Sequence, residues 1–72
     1  MSTVIFRGSK GVNKVALDRG FKQIFGIGLK QAKDLTDELM ELKELTFEHV
    51  SELQVDQLLV LRDEANVVIE VQ

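Results

Sequence analysis

Residues 24–35, IFGIGLKQAKDL, set two glycines one residue apart between two apolar patterns of helical period. Glycine accepts the positive φ that closes a helix, so the chain must end one helix and begin another within three residues. Upstream, Leu17, Phe21 and Ile24 recur at i, i+4 and i+7 and should face a core, with Asn13 as the N-cap. Val15, Arg19 and Lys22 fall on the opposite, outer stripe. Downstream, a second helix runs from near Leu29 to about Met40, with Leu29, Ala32, Leu35 and Leu39 inward. Lys30 and Lys33 lie one turn apart at its start. The elbow therefore serves one of two ends. Either its amides hold a nucleic-acid phosphate, or it sets two helices side by side as a protein-binding face.

TVIFR at 3–7 is β-branched and aromatic and runs into GSKG, a turn signal, so it reads as a first strand. TFEHV at 46–50 is a weaker second strand, since the residues before it could extend the helix instead. Ser51 and Gln54 form a capping box that opens a third helix over 52–65, and Asn66 suits its C-terminal cap. VVIEV at 67–71 is a last strand with Val67, Ile69 and Val71 on one face. The order β-α-α-β-α-β predicts one α+β two-layer domain, a three-stranded sheet with three helices on one face. In the third helix Leu58, Leu61 and Ala65 share the core side. Leu53 and Val60, seven residues apart, lie well away from it, and Leu59 is off it as well. Either residues 40–47 fold back over these three, or they form a contact surface, most simply a two-fold dimer of helix three against its copy.

Composition narrows the functions. The 72 residues are 44% apolar and 29% charged, which is globular rather than disordered. There is no cysteine for disulfides or thiolate–metal sites, and the one histidine leaves any metal site to carboxylates. No apolar run approaches the ~20 residues of a membrane span, and the start lacks a secretory h-region. A cytoplasmic chain without membrane contact or cofactor is expected. His49 has no nucleophile near it in sequence, and Gly-Ile-Gly follows a helix without the spacing of a P-loop or dinucleotide fingerprint. No enzyme is expected either. Residues 1–35 hold seven Lys/Arg against two acids and residues 36–72 two against ten, so +5 and −8 make up the net −3. A chain this polarised carries a basic and an acidic face.

Two resemblances address the glycines. Helix, Gly26-Ile27-Gly28, helix is similar to the helix-hairpin-helix motif, which implies hairpin amides and a helix N-terminus facing a phosphate, with Lys30 and Lys33 adding charge. The acidic net charge and the lack of an aromatic stacking platform disfavour nucleic acid. A longer match runs through NKVALDRGFKQIFGIGLKQAKDL and SELQVDQLLVLRDEANVVIEV. These segments resemble the C-terminal domain of the bacterial large-subunit ribosomal stalk protein. The family's Gly–apolar–Gly–Leu–Lys–x–Ala–Lys–Asp–Leu run stands complete at 26–35. Asn13, Lys14, Val15 and Ala16 match before it. Ser51, Leu58, Glu64, Ala65, Glu70 and Val71 fall in register after it, given a short insertion around 40–47.

That resemblance implies a mobile, basic and apolar face on the first two helices, which captures translational GTPases by docking on a helix of the factor. The matching positions are Lys14, Val15, Arg19, Lys22, Leu29, Lys30 and Lys33. Asp18 stands where the family has an apolar residue in the docking strip, and Gln31 replaces an acid. Leu53, Leu59 and Val60 replace charged residues. The family's dimerisation domain and flexible hinge have no counterpart in these residues. The chain is then a domain cut from a longer protein or a stand-alone copy. Met1 leading straight into the first strand favours the second, a phage-type decoy or adaptor. An α3-paired dimer would restore the lost bivalence.

Overall fold

The computed structural model describes residues 1–8 and 10–72. Among these, the elements run β1 (Ser2–Arg7), α1 (Lys14–Phe25), α2 (Leu29–Leu42), β2 (Glu44–Val50), α3 (Glu52–Ala65) and β3 (Val68–Val71). Residue 9, inside the turn expected at 8–11, lies outside the described residues. The element order is the expected one. β1 lies at the centre of a sheet ordered β2-β1-β3 and is antiparallel to both neighbours.

Four boundaries move, β1 beginning one residue early at Ser2. α2 continues to Leu42, and β2 begins at Glu44 rather than Thr46. The reversal is made by Lys43 alone, which takes φ 67° while its N–H donates to Leu39 O at 2.8 Å. Glu44 and Leu45 join the sheet because Arg7 and Phe6 stand opposite them in the register. The last strand starts at Val68, while Val67 is buried ahead of it. Along the expected inward face exposure climbs from 5% at Val67 to 41% at Val71, as this edge strand runs out from the core.

The core lies on one face of the sheet. Val4 and Phe6 of β1 meet Leu17 and Phe21 of α1, Ala32 and Leu39 of α2, and Leu58, Leu61 and Ala65 of α3. All four phenylalanines cluster there: Phe6 lies 5.4 Å from Phe21 and 5.5 Å from Phe47, and Phe25 stacks on Phe47 at 4.9 Å. The other face carries Arg7, which reaches Glu70 at 2.6 Å and Glu44 at 3.5 Å and so bridges all three strands. The hydrogen bond and charge of Glu70, with Glu44 behind it, hold the guanidinium pKa above its ordinary value. All three helices therefore share one face of the sheet.

Three local devices make this packing close. Between the pairs Val4↔Phe47 and Ser2↔Val50, β2 uses one more residue than β1, and His49 at φ 59° takes up the excess. This bulge resets the alternation, so Val50 rather than His49 turns inward. In α2 the buried Thr36 hydroxyl donates to Ala32 O at 3.1 Å, which satisfies the one polar side chain in the described core. At Gly20 the absent side chain lets α3 approach: a Cβ there would fall 2.5 Å from both methyls of Leu61.

Candidate protein-docking face

α1 begins at Asn13, whose side chain accepts from Ala16 N at 3.1 Å, and ends at Gly26 in the left-handed region, φ 63° and ψ 33°. α2 begins at once after Gly28. The Gln54 side chain accepts from Ser51 N and donates to Ile24 O at 3.3 Å, so the capping box of α3 also holds the C-terminal end of α1. These anchors fix α1 beside α2 with their outer surfaces turned to solvent.

Only one elbow glycine is required by conformation. Gly28 has an extended backbone, φ −72° and ψ 162°, and nothing lies within 4 Å of a Cβ placed on it or on Gly26. The expectation that both glycines let the helices sit close is corrected. Gly26 makes the left-handed turn, and the close approach belongs to Gly20 against α3.

A shallow depression of about 330 Å³ opens between α1 and α2, lined by Val15, Asp18, Arg19, Lys22, Leu29 and Lys33. Six of the eight expected residues thus share one groove. Lys30 lines an adjoining depression of about 400 Å³ with Leu29, Lys33, Asp34 and Asp37. Lys14 is exposed at the start of α1 and lines neither. The inward placement expected for Leu29 is also corrected. It is 50% exposed, and Ile27 packs against the core in its stead.

The electrostatics of this groove are one-sided. Val15 is 64% exposed and, with Leu29, forms its apolar strip. Among the described residues the ion pairs use Arg7 and Arg62, so Lys14, Arg19, Lys22, Lys30 and Lys33 are left without one. α2 has no side-chain N-cap and no acid in its first turn, so its N-terminal dipole adds to the positive potential. One negative group, Asp18, stands in the groove itself. Asp18 Oδ1 is closed to solvent and has no hydrogen-bond partner among the described residues. Sequence reasoning misses Asp34 and Asp37, which set an acidic edge beside Lys30 and Lys33; the available signal is their i,i+4 spacing, Asp34 from Lys30 and Asp37 from Lys33.

A second surface lies on α3. Leu53 is 69% and Val60 62% exposed, and Leu59 is half-buried. Residues 40–47 do not fold back over them, because they complete α2 and enter β2. Val60 and Glu64 border a depression of about 250 Å³ between α1 and α3.

No helix of the described residues is long and apolar enough to cross a membrane. Comparison with protein-family models, curated proteins and solved structures finds no match for the chain.

Proposed function

We propose that this is a non-enzymatic protein-binding domain of the ribosomal-stalk type. In this reading it engages translational GTPases, or a mimic of them, through the groove between α1 and α2. One observation carries it: the strip of Val15 and Leu29 is exposed among cations that have no ion-pair partner among the described residues. An apolar strip ringed by long cations accepts one face of an amphipathic helix and steers acidic surfaces toward it. The motif resemblance at Gly26–Leu35 supplies the class of partner, and a phage-type decoy or cytoplasmic adaptor would use the same groove.

The helix-hairpin-helix reading keeps one supporting observation, the uncapped start of α2 beside Lys30 with open space at Gly28. An NMR titration separates the two. With translational GTPases the amides of Val15, Arg19, Lys22, Leu29, Lys30 and Lys33 should shift first. Lys30→Glu/Lys33→Glu should weaken binding about tenfold or more, since two attractions become repulsions. Shifts confined to the acidic half, or none with any factor, would overturn the proposal. Shifts at Gly28–Lys30 with an oligonucleotide alone would favour the motif reading.

A further inference from the structure

The groove suits an acidic helix with an exposed apolar ridge, and the chain itself displays one. On α3, Leu53 and Val60 are seven residues apart and so lie about 20° from each other round the helix, in a single exposed ridge. Asp56 and Glu64, one turn to either side of Val60, flank that ridge. Both are exposed and make no ion pair among the described residues. α3 carries four carboxylates against the single cation Arg62, which is itself 3.5 Å from Asp63. The lining of the groove holds three cations, Arg19, Lys22 and Lys33, against the one carboxylate of Asp18. The ridge from Leu53 to Val60 is about 10 Å long, and the strip from Val15 to Lys22 spans the same seven residues of helix. In length, apolar content and sign of charge, the α3 surface complements the α1–α2 groove.

We infer that copies of this chain associate head to tail, the α3 ridge of one seated in the α1–α2 groove of the next. The groove and the ridge lie on different helices and are lined by different residues, so one copy offers both at once. Such a contact is heterologous and propagates from copy to copy, unlike the two-fold pairing of α3 with α3 expected from the sequence. The patch is small, so the association is weak, and its charge makes it sensitive to salt. It also occupies the groove, so an external helix competes with it. The inference rests on the proposed role of that groove as a receptor for acidic helices, but not on the identity of the external partner.

Two charge-reversed variants of exposed residues test it by sedimentation equilibrium from micromolar to millimolar concentration in low salt. Wild type should gain average mass with concentration and return to monomer as salt rises. Arg19→Glu/Lys33→Glu, which loses the groove, and Asp56→Lys/Glu64→Lys, which loses the ridge, should each be monomeric. Mixed, they should form a 1:1 heterodimer and nothing larger, because each keeps the one face that the other lacks. Circular dichroism checks that both variants fold. A wild type that stays monomeric throughout overturns the inference. So does a groove variant that self-associates like wild type, which would mean α3 pairing with α3. Titrating the ridge variant, whose groove is intact and empty, with translational GTPases tests the proposed function separately.

Discussion

Asp18 Oδ1 is shut off from solvent in the groove that holds Val15 and Leu29, and it finds no donor among the described residues. An acceptor in that position costs stability, because its lost hydration is not replaced. Asp18→Ile should therefore raise the urea midpoint, a gain of about 1 kcal/mol in unfolding free energy for a carboxylate that is only partly buried. It should also tighten binding to translational GTPases about fivefold, on the scale of one recovered apolar contact. A lower midpoint, or no change in affinity, would show that the carboxylate serves the free chain or that the groove is not used. Gly20 works in the opposite sense, since its missing side chain is what Leu61 occupies. Gly20→Val should destabilise by about 2 kcal/mol through overpacking, measured by the same urea unfolding. A glycine inside a helical pattern looks like a weak position until another helix is found against it. The family resemblance marks Asp18 as a charge in the docking strip, but only the structure shows that its Oδ1 is closed to solvent.

The elbow joining α1 and α2 separates two glycines that look alike in sequence. Gly26 needs φ 63°, which an L side chain resists, so Gly26→Ala should destabilise by about 1 kcal/mol. Gly28 adopts φ −72° and ψ 162°, almost the angles of Ser51, φ −70° and ψ 160°, which is the serine N-cap of α3. Gly28→Ser should then supply the cap that α2 lacks and stabilise by about 0.5 kcal/mol, read from the shift in denaturation midpoint. Equal losses at the two positions would contradict this division of roles. Helices and caps were legible because their signals are local: a side-chain oxygen at Asn13 or Ser51 bonds an amide only three residues away. β2 was less legible. Its first two residues take strand form by pairing with Phe6 and Arg7, nearly forty positions distant, and its bulge at His49 follows from keeping Val50 in the core.

For the molecule as a whole, the split of charge along the chain becomes a split in space only in part: among the described residues the cations of α1 and of the start of α2 make no ion pair, while carboxylates lie on α3 and also on α2, at Asp34, Asp37, Glu38 and Glu41. Binding in the groove should weaken on the order of tenfold between 0.1 and 1 M salt, as the Debye length falls from about 10 Å to about 3 Å; titration calorimetry at the two ionic strengths checks it. A salt-independent affinity would leave Val15 and Leu29 as the whole of the attraction. The sequence by itself determined the order of elements, the helix caps at Asn13, Ser51 and Asn66, a turn within Gly26–Gly28 and the basic character of α1. Each depends on residues within one or two turns of one another, where backbone geometry and hydrogen bonding leave little choice. Tertiary structure alone decided that Arg19, Lys22 and Lys33 share one groove with Val15 and Leu29. It also decided that Asp18 Oδ1 is closed to solvent without a donor among the described residues, that Gly20 admits Leu61, and that the α3 ridge is left uncovered. These facts depend on how helices distant in sequence pack on one sheet, and periodicity shows which face of a helix is apolar but not what comes to lie against it.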